Sequence, residues 1–207
     1  MNILKLLIVA LVVVYQLVWF FGSDETQSFN KLSSSSTILA FGDSLTYGYG
    51  VNKKYSYPSV LEQKIALHVE NAGVNGEEST QGLKRLPSFL KQKPSLVILC
   101  HGGNDILRKR SKIILKNNLI KMIKMIKKSG AEVLLVGVPS FSIVGIKTLS
   151  LYKEVAKETG VMFENNILET IESNAALKSD NIHPNEKGYE MMADRFIEIL
   201  RSNGIIL

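Results

Sequence analysis

The sequence predicts an α/β fold in which a parallel sheet carries helices on both faces. Two observations support it. Short apolar runs alternate with helical patterns from residue 37 to the end of the chain, and connections of that length join parallel strands. Three of the runs end in polar, glycine-containing stretches, and such strand ends converge on one crevice in an open sheet. The composition agrees: of 207 residues, 45% are hydrophobic and 21% charged, which excludes a disordered or collagenous chain. The single Cys100 cannot form an internal disulfide, and its place at the end of an apolar run reads as a buried small hydrophobe.

In chain order, Leu6 to Phe21 is apolar apart from Gln16, with Lys5 before it and Asp24 and Glu25 after it. Sixteen helical residues span roughly 24 Å, which suits a marginal membrane anchor or a long signal-peptide core. Trp19, Phe20 and Phe21 put bulk where a cleavage site needs small residues, so an uncleaved anchor is favoured. The flanking charges place the N-terminus in the cytoplasm and the domain outside, in the cell envelope. Residues 1–22 are thus an anchor or signal segment, residues 23–36 a serine-rich linker, and residues 37–207 one folded domain.

Within that domain, Ile38 to Phe41 reads as the first strand and Pro58 to His68 as a helix. Val69 to Ala72 is the second strand, and Gln81 to Leu90 a helix. Leu96 to Cys100 is the third strand, followed by a helix from Lys112 to Lys128. Val133 to Val138 is the fourth strand, closed by Pro139. A helix from Lys147 to Thr159, a strand at Val161 to Phe163 and a helix from Asn185 to Ser202 complete five strands. Net charge is +6, and no acidic residue falls between Ile106 and Ala131. The basic helix there has an apolar stripe in Ile113, Leu119, Ile120, Ile123 and Ile126, so its lysines form a solvated face. The same patch offers a surface for anionic lipid headgroups. Nucleic acid is disfavoured because no aromatic interleaving or recognition motif accompanies the charge.

The chemistry-bearing residues are few. Ser44, in Gly42-Asp43-Ser44 at the first strand's end, is the candidate nucleophile. The elbow G-x-S-x-G is absent, which argues against the α/β-hydrolase chain order. His183, in Asp180-x-x-His183-Pro184, is the candidate general base, and Asp180 on the same loop can hold its tautomer. His68, at the end of an apolar helix, reads as structural. His101 adjoins the site without a local carboxylate to orient it. Ser44 N–H, Gly76 N–H and the Asn104 amide are candidate donors to a developing oxyanion. Singly, each of these residues also reads as an ordinary turn or cap.

Gly42-Asp43-Ser44-Leu45, Gly76, Gly102-x-Asn104-Asp105 and Asp180-x-x-His183-Pro184 together resemble the four sequence blocks of the SGNH (GDSL) hydrolase superfamily. Residues 71–83 and 101–107 resemble the branch holding thioesterase I, lysophospholipases and arylesterases. The resemblance implies a flavodoxin-like three-layer α/β/α sandwich, a Ser44, Asp180, His183 triad, and an oxyanion hole of Ser44, Gly76 and Asn104. It implies no metal and no cofactor. His101 and Glu77 stand where that branch carries an apolar residue and, often, an aspartate, and these departures bear on substrate preference. The expected function is a serine esterase acting on acyl esters, thioesters or lysophospholipids, with no obligate protein partner. An envelope polysaccharide or peptidoglycan O-deacetylase and a non-catalytic binding protein are the alternatives. Phe141, Ile143, Val144 and Ile146 are expected to line an acyl-chain groove.

Overall fold

A computed structural model describes residues 29–142 and 145–207 of the chain. The apolar segment Leu6 to Phe21 and residues 23–28 of the serine-rich stretch lie outside the described residues. No helix among the described residues is long and apolar enough to cross a membrane.

Five parallel strands form one sheet: β1 (Thr37–Gly42), β2 (His68–Gly73), β3 (Leu96–Cys100), β4 (Glu132–Val136) and β7 (Met162–Glu164), in the order β2-β1-β3-β4-β7. Ile38 pairs with Val69 on one side and Leu96 on the other, and Leu134 pairs with Met162. The strands are near-continuous apolar runs because both faces are covered; Leu96 to Cys100 is buried throughout. Helices α2 (Tyr57–Ile65) and α8 (Glu186–Ser202) pack on each other, while α5 (Lys112–Lys128) packs between α3 (Ser79–Leu90) and α6 (Ser150–Thr159). Right-handed crossovers require this division, because the chain reverses direction across the sheet after β2. The reversal leaves β1 and β3 as neighbours from which the chain departs in opposite directions, which opens a crevice at their C-terminal ends.

The α/β sandwich expected from the sequence is therefore present, and the differences from it are local. The fourth strand ends at Val136 instead of Val138. Pro139 then opens an antiparallel hairpin, β5 (Pro139–Ser142) with β6 (Gly145–Thr148), so the next helix begins at Ser150 instead of Lys147. Two short helices follow polar strand ends, α1 (Ser44–Tyr47) and α4 (Gly103–Leu107), and α7 (Ile167–Glu172) fills a stretch without strong periodicity. In α5 the buried face is Leu115, Leu119, Met122, Ile123 and Ile126, whereas Ile113 is 74% exposed. Residue 113 lies two positions before 115, about 200° around the helix, so it belongs to the opposite side of the stripe. His68 is exposed at the start of β2, where its ring meets the Glu62 carboxylate at 3.2 Å, and is not within a helix.

Residues 30–36 are not detached from the domain. Asn30 donates to the Glu132 carboxylate at 2.7 Å, and the Leu32 amide donates to the Ile205 carbonyl at 2.8 Å. Both contacts lie at the N-terminal edge of the sheet, opposite the crevice.

Candidate active site

Ser44 is placed by the turn that ends β1. A Cβ at Gly42 would collide with the Cys100 carbonyl and the Thr46 hydroxyl, so only glycine lets β1 run so close to β3 before turning. Asp43 is buried and caps α1, its Oδ1 accepting the Leu45 N–H at 3.2 Å. Burial pushes the Asp43 carboxyl up, against the opposing pull of His101 and the Leu45 and Gly103 amides. Ser44 is the first residue of α1, where backbone N–H groups have no intrahelical acceptor.

His183 comes to Ser44 on the loop between α7 and α8. An isolated bridge between Lys178 and Pro184, with the Ser179 N–H donating to the His183 carbonyl at 2.9 Å, pinches that loop shut. Asp180 turns back inside it. Its Oδ1 accepts the N–H groups of Ile182 and His183, each at 2.8 Å, while Oδ2 meets His183 Nδ1 at 2.7 Å. The far side of the imidazole, Nε2, lies 3.0 Å from Ser44 Oγ. Partial burial by itself would raise the Asp180 carboxyl, but the two amides and the imidazole outweigh it and hold it at about 2. The Tyr49 ring packs against the imidazole, centroids 4.4 Å apart, and Tyr189 donates its hydroxyl to the Tyr49 carbonyl at 3.0 Å. A hydroxyl, an imidazole and a carboxylate in series can move a proton off the hydroxyl and return it elsewhere.

Gly76 and Asn104 face the same cavity as Ser44. Gly76 sits at φ +74°, a conformation that favours glycine. Asn104 Nδ2 donates to the Glu77 carbonyl at 3.1 Å, which orients its amide and leaves a second N–H for another acceptor. The neighbouring Asp105 turns away and accepts the Ser79 N–H and hydroxyl at 2.7 and 2.6 Å, capping the start of α3. The two halves of Asn104-Asp105 thus do different work.

His101 does have a carboxylate beside it, 24 residues away in sequence. Its Nε2 is 3.1 Å from Glu77 Oε2, and Arg85 clasps the same carboxylate at 2.9 and 2.7 Å. Burial opposes ionisation of Glu77, yet His101 and Arg85 hold its carboxyl below the usual carboxylate range. The Arg85 guanidinium lies over the Phe41 and Phe89 rings, at 4.2 and 5.1 Å. This buried knot holds the segment from Gly76 to Glu78 onto the sheet.

The cavity, of about 200 Å³, is lined by Ser44, His183, Gly76 and Asn104 and by apolar walls from Leu45, Ile106, Leu107, Val138, Pro139 and Ile182. Of the groove residues expected on the hairpin, Ile143, Val144 and the side chain of Phe141 lie outside what the structure describes and Ile146 is not among the residues that line this cavity; near the hairpin the described wall is Val138 and Pro139. Glu172 at the end of α7 also lines it, and no sequence pattern singled it out. Burial pushes the Glu172 carboxyl up to about 8, with Lys178 pulling the other way and Asp43 adding to the rise. Among the described residues no group of three His, Cys, Asp or Glu side chains is placed to hold a metal ion.

Residues 40–191 match the family model described as "GDSL-like Lipase/Acylhydrolase family". Esterase TesA of Pseudomonas aeruginosa is 31% identical over 163 residues, covering 73% of this chain and 81% of its own. Thioesterase 1/protease 1/lysophospholipase L1 of Escherichia coli K12 is 31% identical over 172 residues, covering 79% and 83%. Among solved structures, the SGNH-hydrolase family esterase AlinE4 superimposes with a TM-score of 0.64 at 30% identity, covering 83% of this chain and 98% of its own. The esterase EstA from Pseudoalteromonas sp. reaches a TM-score of 0.74 at 24% identity, covering 81% and 98%, a likeness of fold.

Proposed function

Since the chain belongs to the GDSL-like lipase/acylhydrolase family, we propose that it is a serine esterase in which Ser44 is the nucleophile, His183 the general base and Asp180 its orienting carboxylate. The observation that carries this reading is the unbroken series from Ser44 Oγ to His183 Nε2 at 3.0 Å and from His183 Nδ1 to Asp180 Oδ2 at 2.7 Å. His183 accepts the Ser44 proton as Oγ attacks the ester carbonyl carbon. The developing oxyanion takes hydrogen bonds from the Ser44 and Gly76 N–H groups and from the uncommitted N–H of Asn104. Collapse breaks the carbonyl-carbon to alkoxy-oxygen bond, and His183 gives its proton to the departing alcohol. A water molecule, deprotonated by His183, then attacks the acyl-Ser44 ester and releases the carboxylic acid and the free hydroxyl.

The apolar walls support an acyl chain as the buried part of the substrate over the shallow polar pocket that a carbohydrate deacetylase needs. The apolar, Lys5-flanked segment from Leu6 to Phe21 supports an enzyme tethered in, or exported across, a membrane, with residues 37–207 as its catalytic domain. Hydrolysis of p-nitrophenyl esters from acetate to palmitate tests the reading. We expect activity centred on short and medium chains, because a cavity of about 200 Å³ cannot enclose a palmitoyl tail, and loss of that activity in Ser44→Ala. Retention of activity in Ser44→Ala overturns it.

A further inference from the structure

Two carboxyl groups line the cavity, and the geometry sets them apart. The Asp43 carboxyl is engaged by the backbone N–H groups of Leu45 and Gly103. The Glu172 carboxyl makes no hydrogen bond to any described residue, although Glu172 is only 5% exposed and borders the same cavity as Ser44. Lys178 does not pair with it; its ammonium donates to the Glu172 and Asn181 carbonyls at 2.9 and 3.3 Å. The Glu172 oxygens are not sealed in, since among the described residues only His101 Nδ1 is a fully buried side-chain atom without a partner; they open to the cavity, and a molecule that displaces water there must supply their hydrogen bonds or leave them unmade.

We propose that Glu172 is a specificity-determining residue that selects esters whose acyl arm carries a hydroxyl group over esters of plain alkyl acids. This rests on the serine esterase reading of the same cavity. The acyl arm is the part concerned because the acyl group stays on Ser44 through deacylation, inside the cavity that Glu172 lines, whereas the alcohol departs first. The carboxyl is held protonated at neutral pH by its burial, so it offers one donor and one acceptor. A hydroxyl offers the same pair in return. An ammonium-bearing arm is the poorer match, since it must shed its water against walls of Val138, Pro139 and Ile182. A plain alkyl arm fills the space and leaves Glu172 unpaired, a penalty that sites built around a polar group exploit.

The test uses full-length protein, wild type and the variants Glu172→Met and Glu172→Gln, and compares kcat/KM for p-nitrophenyl butyrate with the 2- and 3-hydroxybutyrate and 3-aminobutyrate esters. Wild type is expected to favour at least one hydroxybutyrate over butyrate by about tenfold. Glu172→Met is expected to abolish that preference by gaining on butyrate and losing on the hydroxy ester. Glu172→Gln, which still donates and accepts, is expected to keep most of it. Wild-type preference for butyrate, or for the aminobutyrate over both hydroxy esters, overturns the proposal without reference to any variant. Equal preference in wild type and Glu172→Met overturns it as well. Wild-type protein that hydrolyses none of the esters removes the esterase reading and this inference together, whereas an unchanged ratio in active Glu172→Met removes this inference alone.

Discussion

Asn104 has two amide hydrogens, and the Glu77 carbonyl takes one of them. In the proposed mechanism the other is the donor to the oxyanion, so Asn104→Ala is expected to lower kcat about 10²- to 10³-fold with little change in KM, read by steady-state ester hydrolysis. A comparable loss in KM instead would make the amide a substrate-binding group. Asp180→Asn is expected to cost more, about 10⁴-fold in kcat, because an amide that donates to Nδ1 turns the imidazole to the wrong tautomer. The residues proposed for these roles were legible as candidates in the sequence because Asp180 and His183 are local to each other and Ser44 follows a strand. Glu172 was not legible: an acid at the end of a short helix looks like any surface glutamate until the fold buries it. Its titration has a sign that can be checked. The folded-state carboxyl sits at about 8 against an ordinary 4.5, so the native state keeps a proton that the unfolded chain releases between those values. Stability therefore falls as pH rises from about 4.5 to 8. Glu172→Gln is expected to remove this loss, with a gain in Tm over wild type that is small at pH 5 and largest near pH 8. Asp180 acts in the opposite direction: its carboxyl, held at about 2, contributes stability above its ordinary pKa that is lost as the pH drops toward 2. Because that side chain is 44% exposed, the contribution is small.

At the scale of elements, the segment joining β2 to α3 is the most constrained part of the site. Glu77 anchors it through Arg85 and His101, which belong to α3 and to the end of β3. Removing one partner of such a knot leaves buried charge uncompensated, so Glu77→Ala is expected to destabilise the fold by about 3 kcal/mol. In thermal melts this corresponds to a Tm lower by roughly 6–12 °C for a chain of this size. The two residues that depart from the family pattern, His101 and Glu77, are thus partners in one contact. Sequence spacing hid it because 24 residues and a helix separate them. The hairpin of β5 and β6 was hidden for a related reason. Val133 to Val138 is one apolar run, and only the antiparallel pairing of Pro139 with Thr148 shows where the sheet strand stops and the hairpin begins.

For the whole molecule, the strand order β2-β1-β3-β4-β7 brings the ends of β1, β2 and β3 to one edge, and the loop before α8 returns His183 to that edge 139 residues after Ser44. The stretch at 30–36 docks at the opposite edge through Asn30 and Leu32. A fragment that begins at Ser34 is therefore expected to be less stable by about 1–2 kcal/mol than one that begins at Gln27, with both fragments hydrolysing esters at similar kcat. Equal denaturation midpoints would show that those contacts contribute nothing. The sequence by itself determined the layer architecture, since alternation of apolar runs with 3.6-period segments leaves a parallel sheet between helices as the way to bury both. It also marked polar residues that the fold gathers around one cavity, because glycine, serine and asparagine at strand ends have no packing reason to be there. The tertiary structure alone decided what surrounds them: the state of Glu172, the partner of His101 and the wall of the cavity. Burial and pairing are properties of residues distant in sequence, and no local pattern records which of them will meet.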